Sequence, residues 1–475
     1  MSKTATAPRL GENKMGTMPI GKLLINMATP MIIAMLVQAM YNIVDSYFVS
    51  KITFAEGYTD PKYIQESAIA SMSLAFAVQN VLIGFATGIG VGVNALLSKS
   101  LGEGNQDKAN RTAANGVVLA LISTVIFLLF GLFGSRFYYQ MMSNSPLTVE
   151  FGTQYITICC CMSLGIFIEI LGERLLQASG RTVFTLATQG VGAVINIILD
   201  PLLIFGVGPF PQMGIAGAAW ATVIGQWVAA AMAVILNLTV NHDVQFSLRY
   251  FRPKKEIMGP ILTVGVPSTI MTSIGSVMNV GLNTILKGFS GLYGEVPVNV
   301  FGIYFKLQSF FFMPLFGMNN ATISIVAFNY GAQKPERIVK TLKTVAISAL
   351  CFMLVGLAVF QLVPDLLLSI FDDSELFLAL GRRALRTISF CFPTAAVSIA
   401  LGASFQALGN GIYSSIVSLC RQLIVLLPAA YLLSLSGNLD FVWWAFPIAE
   451  LVSLATTVFL FAKIYKKKIT PLFHV

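Results

Sequence analysis

Asp45 and Asp200 are the two residues of this sequence whose surroundings promise chemistry. Each carboxylate falls inside an apolar run long enough to cross a bilayer, where a charge costs ~2.5–3.5 kcal/mol at a helix centre. Residues three and four apart share a helix face, so Tyr41, Asn42 and Asp45 form one polar patch. Asn196 precedes Asp200 by one turn, and Thr222 in the outward half of the following run reaches the same depth. Two carboxylates, an amide and a hydroxyl offer only oxygen ligands, which suits a hard cation. The candidate metal ligands for Na⁺ are then Asp45, Asn196, Asp200 and Thr222. A proton is the alternative occupant, since it would relieve two like charges held close together. The plain structural alternative is that Asp200 ends a helix before Pro201 while Asp45 meets loop water. Pro30 lies 15 positions before Asp45 and removes a backbone hydrogen bond there, giving the first helix a candidate hinge.

Other charges inside apolar runs are few: Glu169, Glu173 with Arg174, Lys306, Arg421 and Glu450. Glu173 is expected to pair with Arg174 or Arg181, while the deeper Glu169 could attract a positively charged ligand. Gln38, Glu169, Lys306 and Arg421 are the candidates for lining a substrate cleft. For Lys306 and Arg421 a structural pairing, with Glu450 as a third member, is the simpler expectation.

These side chains need membrane helices to hold them. The chain has 475 residues, 56% hydrophobic and only 11% charged. Soluble domains average roughly 25% charged residues, so too few polar side chains exist here to cover a water-facing globule. Twelve apolar runs of spanning length predict helices at 24–50, 67–97, 114–134, 151–177, 183–206, 214–238, 258–288, 299–327, 341–363, 382–407, 413–435 and 441–464. The fold class is therefore an all-α polytopic membrane protein.

The net charge of +9 is spread unevenly. Alternate segments hold most of the basic residues, among them Lys3, Arg9, Arg111, Arg249, Lys254, Lys340 and Lys466 to Lys468, as cytoplasmic loops should. Both termini fall in that set, which places them in the cytoplasm and argues against nucleic acid as the partner. The six cysteines lie in apolar runs without ligand spacing, and His242 and His474 sit in a loop and at the tail. The polar first twenty residues lead into a run too long for a signal-peptide core.

The chain repeats itself. Gly102 to Lys108 matches Gly331 to Arg337 at an offset of 229, and Gln177-Ala178-Ser179-Gly180 matches Gln406-Ala407-Leu408-Gly409 at the same offset. Gln79 with Gln308 and Gly88 with Gly317 repeat it again. The expected organisation is a cytoplasmic segment 1–23, a six-helix lobe 24–240, a basic linker 241–256, a second six-helix lobe 257–465 and a cytoplasmic tail 466–475. Because each half has an even number of spans, the halves insert the same way up, with a ligand path expected between them. Gly84, Gly88 and Gly92 form a stripe best explained by close helix packing.

With these features in place the chain resembles the multidrug and toxic compound extrusion (MATE) family, in its bacterial multidrug efflux branch. The resemblance covers residues 15–465. It rests on Ala28-Thr29-Pro30 with Asp45, the Gly-rich second span, Phe328-Asn329-Tyr330-Gly331-Ala332, Gln177-Ala178-Ser179-Gly180, and Asn196 with Asp200. It implies two six-helix bundles forming a V-shaped cleft and export of bulky, often cationic drugs, driven by Na⁺ or H⁺ entry through alternating access. It also implies a cation site matching Asp45, Asn196, Asp200 and Thr222, with Pro30 as the bend that couples binding to release. The family's second recurrent site, a carboxylate in the seventh helix, has no counterpart between Ile257 and Lys287.

A lipid-linked oligosaccharide or lipid-precursor flippase of the same superfamily is the alternative, kept open by Lys306 and Arg421. An enzyme is disfavoured: Asp372-Asp373 is a lone acidic pair on the external side, and no phosphate-cradling Gly-rich motif with a lysine occurs. The expected partners are small-molecule drugs or organic cations and membrane lipid, with no cofactor beyond the coupling ion and a monomeric chain.

Overall fold

The computed structural model describes residues 13–473, and every regular element among them is a helix. Lys3, Arg9 and His474 lie outside the described residues. Ten helices are long and apolar enough to cross a membrane, and two bent pairs raise the crossings to as many as twelve. In the first half these are Ile20–Val49, Pro61–Gly102, Gln106–Met142, the pair Pro146–Cys161 and Leu164–Ala178, Thr182–Phe205 and Ile215–Thr239. The second half holds Lys255–Lys287, Val296–Gly331, Pro335–Leu362, the pair Glu375–Ser389 and Phe392–Ala407, Gly411–Ser434 and Leu439–Phe473.

Several helices outrun their apolar stretches because polar caps extend them. The second span begins at Pro61, where a missing N–H costs nothing, and Asp60 caps it by accepting from the Lys62 amide at 3.0 Å. The fourth and tenth spans are each broken, bending by 48° and 45°. At the first break the Met162 carbonyl accepts from the Gly165 amide at 3.3 Å and from the Trp227 indole at 3.2 Å. After the second, Pro393 stands in the first turn of the new helix.

The duplication is visible in the element boundaries. Helices end at Gly102 and Gly331 and at Ala178 and Ala407; the following helices begin at Gln106 and Pro335 and at Thr182 and Gly411. Each pair is 229 apart. The turns agree too: Gly180 and Gly409 have φ of 78° and 74°, and Gly104 and Gln333 have φ of 68° and 54°. Gln333 thus carries a Cβ in the left-handed region where its repeat partner is glycine. Gln333→Gly should raise stability by roughly 0.5–1 kcal/mol, read as a higher melting temperature in detergent. A lower one would mean the side chain makes a compensating contact.

By packing, Ile33–Thr269 form one unit, and residues 13–32 join 270–473 in the other. The first and seventh spans therefore each begin in one unit and end in the other, whereas the sequence repeat divides the chain at its 241–256 linker. In the first unit the glycine stripe meets the start of the seventh span. A Cβ on Gly88 would lie 2.6 Å from the Gly265 carbonyl oxygen, and one on Gly92 would lie 2.2 Å from that of Ile261. The second unit repeats the device, since a Cβ on Gly317 would lie 2.9 Å from the Ile32 amide nitrogen.

Polar side chains tie down the connecting segments of each unit. Arg337 donates to the carbonyls of Met15 and Met18 at 3.0 and 2.8 Å, and Lys334 to that of Gly16 at 2.9 Å, fixing the short helix Lys14–Thr17. In the other unit Asn110 and Asn115 accept from the amides of Gln245 and Lys254 at 2.8 and 3.2 Å, docking the linker. Arg181 forms an ion pair with Asp243 of that linker.

Candidate functional site

The fifth span, Thr182–Phe205, carries a polar stripe along one face: Thr182, Thr185, Thr188, Asn196 and Asp200 are all buried. Steps of three, four and eight residues keep this stripe on one side of the helix. Asp200 does not end the helix, which continues through Pro201 to Phe205; the carboxylate is 0% exposed. Asn196, one turn earlier, points its amide nitrogen at Asp200 Oδ1 and at Thr222 Oγ1, 3.3 Å from each. Three of the four expected ligands therefore converge through one side chain. Asp45, in the C-terminal half of the first span, is 6% exposed and close enough to Asp200 for the two charges to repel.

What this group lacks is donors. Asp45 Oδ1, Asn196 Oδ1 and Asp200 Oδ2 are all buried without a hydrogen-bond partner. Buried carboxylates are stable only when paired, coordinated or neutralised. Two carboxylates, an amide oxygen and a hydroxyl fit a monovalent hard cation or a proton. Among the described residues no cluster of three or more His, Cys, Asp and Glu offers a multivalent metal centre.

A partly open cavity adjoins the group and shares Asn196 and Thr222 with it. Gln38, Tyr41, Glu169, Gln189 and Gln226 supply its other polar side chains, and Ile83, Ile166 and Ile170 its apolar wall. Tyr41 stands near three carboxylates, those of Glu169, Asp45 and Asp200. Gln38, Tyr41 and Glu169 thus share one cavity within the first unit. Asn42 does not join them; its visible role is a backbone carbonyl accepting from Ser46. Pro30 lies within the unbroken helix Ile20–Val49.

Glu173 departs from the expected ion pairing. It accepts from Thr188 at 2.9 Å and Gln189 at 3.0 Å, while Arg174 donates to Gln177 and Arg181 turns to Asp243. The reason is direction: Arg174 is the next residue, about 100° further around the helix, while the Glu173 carboxylate faces the fifth span. Lys306 and Arg421 do not pair either. Arg421 meets Glu450 at 3.5 Å, and Lys306 is exposed, with no ion pair among the described residues. Both belong to the other unit and line no part of this cavity.

Sequence reasoning missed Gln189, Gln226 and Tyr155. Gln189 lines the cavity held by Glu173, and its own Oε1 is buried without a partner. Its position seven residues before Asn196 on the polar stripe was the available signal. Tyr155 accepts from Gln79 at 2.9 Å beside Thr222, and nothing in its local sequence marks it.

The MatE family model matches residues 30–202 and 272–432, one stretch in each half of the chain. This chain belongs to the MatE family. Its curated relatives include the multidrug export protein MepA of Staphylococcus saprophyticus, 24% identical over 90% of each chain. The FAD transporter of Shewanella oneidensis is 24% identical over 91% of this chain and 92% of that one. A MATE crystal structure in complex with MaL6 shares the fold at a TM-score of 0.87, with 24% identity over 97% of this chain and 99% of that one. The chain is thus a multi-pass membrane protein of a transporter family, and the two matched stretches agree with its internal duplication.

Proposed function

We propose that this MatE protein is a secondary active exporter of the bacterial inner membrane, with both termini in the cytoplasm. It expels bulky organic compounds, often cationic, in exchange for Na⁺ or H⁺ bound by Asp45, Asn196, Asp200 and Thr222. The observation that carries this reading is the trio of unpartnered buried oxygens on Asp45, Asn196 and Asp200, next to a cavity sharing Asn196 and Thr222. Because the two sites hold side chains in common, occupancy of one changes the geometry offered to the other. Coupling needs such a difference, since a ligand shifts a conformational equilibrium only by its differential affinity for the two states. Cation entry from outside would neutralise the carboxylates, let the first helix bend at Pro30 and lower affinity for cargo. Release of the ion inside would reset the site.

The cavity favours positively charged cargo, because Glu169 is its carboxylate and Lys306 and Arg421 lie outside its lining. The same placement weakens the flippase alternative, which wants cations converging on a pyrophosphate. The Shewanella relative's FAD cargo supplies the contrasting, anionic case to compare. Efflux of a fluorescent organic cation from proteoliposomes, under an imposed Na⁺ or pH gradient, tests the reading, and the gradient that works names the ion. Accumulation unaffected by either gradient would refute it. Glu169→Gln should raise KM for a monovalent organic cation about tenfold, a loss of ~1.4 kcal/mol, while leaving a neutral cargo unchanged. Equal changes for both cargoes would remove Glu169 from charge recognition.

A further inference from the structure

The tail that follows the last membrane helix is folded rather than left as a run of charges. Residues Tyr465–Ile469 and Thr470–Phe473 continue the helical path, with Ile469 buried and Lys468 donating to the Leu408 carbonyl. The segment Thr470–Phe473 packs against Pro335–Leu362 of the same unit. This brings two sets of lysines to one end of the unit: Lys340 and Lys343 from the first turns of Pro335–Leu362, and Lys463, Lys466 and Lys467 from the last helix and tail. All five are exposed, and none forms an ion pair among the described residues. Neighbouring basic groups differ, since Lys334 and Arg337 are held by N-terminal carbonyls. Glu336 is the sole carboxylate of Pro335–Leu362, and no acidic residue follows Glu450. At the end of the same folded segment the Phe473 ring is 46% exposed, and an exposed apolar ring close to basic residues suits the boundary between headgroups and acyl chains.

We infer that this surface is a binding site for anionic phospholipid headgroups of the inner leaflet, with the lysines holding phosphate and Phe473 seated among the chains. Charge complementarity selects the occupant: five fixed cations at a helix end meet a leaflet whose negative potential attracts juxtamembrane basic segments. The folded backbone matters because it holds the two sets together before lipid arrives. The inference is independent of the coupling ion and of the exported compound.

The test is native mass spectrometry of the purified full-length protein titrated with phosphatidylglycerol or phosphatidylcholine. K463Q/K466Q/K467Q should weaken phosphatidylglycerol binding by about tenfold or more and leave phosphatidylcholine unchanged. K340Q/K343Q should act in the same direction with a smaller effect, and K51Q/K62Q on the opposite side should have none. Unaltered phosphatidylglycerol affinity in both basic-cluster variants overturns the proposal. Equal loss of both lipids also overturns it, because that outcome marks a structural defect rather than lost headgroup recognition.

Discussion

In proteoliposomes carrying Asp45→Asn, gradient-driven export of an organic cation is expected to fall to background, roughly 100-fold or more below the unmodified protein. The substitution keeps the shape of the side chain and removes its charge. Asp45 is buried with one oxygen unpartnered and faces the charge of Asp200, so its carboxylate is the part of the group that attracts a cation. Removing one partner of a buried charged contact typically costs ~3–5 kcal/mol, and 1.4 kcal/mol corresponds to a factor of ten. An amide retains an oxygen, so a weak ion site should survive, but the change in charge on which the proposed cycle depends should not. Cargo binding should persist, since Asp45 is not part of the cavity lining, and equilibrium binding of the fluorescent cation in detergent separates the two effects. Export at the normal rate in the variant would show that coupling runs elsewhere.

Gly88→Val should destabilise the protein by ~3 kcal/mol or more, seen as a lower melting temperature and a reduced detergent-soluble yield. Overpacking a tight interior costs about 1–3 kcal/mol when side chains can move aside, and more when they cannot. Here the obstacle is backbone: the added Cβ alone would sit 2.6 Å from the Gly265 carbonyl oxygen and 2.9 Å from the Thr269 amide nitrogen. The second and seventh spans would have to separate along their contact. Gly190→Ala supplies the contrast, because a Cβ there meets nothing within 4 Å and a helix-interior glycine is replaced by a better helix former. That variant should be neutral or slightly stabilising. Equal stability of both variants would show that the spans can part without loss.

The family and its architecture are legible before any coordinates because they rest on linear properties. An apolar run must become a helix in a bilayer, where every backbone polar group needs an internal partner. The offset of 229 between Gln177-Ala178-Ser179-Gly180 and Gln406-Ala407-Leu408-Gly409 marks equivalent helix ends whether or not the fold is known. Both are decided within single helices or by counting. Breaks inside spans are harder: at the bend the Met162 carbonyl meets an indole from another helix, which no local pattern announces.

The site divides along the same line. Sequence alone picked out Asp45, Asn196, Asp200 and Thr222, because polar residues in apolar helices are few and helical spacing places some of them together. Only the tertiary structure decided which charges meet across helices: Glu173 with Thr188 and Gln189, Arg421 with Glu450, and Lys306 with no ionic partner among the described residues. It also set the duplication in proportion. At the offset of 229, Asp45, Asn196 and Asp200 correspond to Ile274, Val425 and Ala429. The repeat preserved what packing requires, namely helix ends, left-handed turns and small residues at close contacts. The polar group exists in one unit alone, because a buried carboxylate survives only where neighbouring helices bring it a ligand, and that convergence is a property of the folded chain.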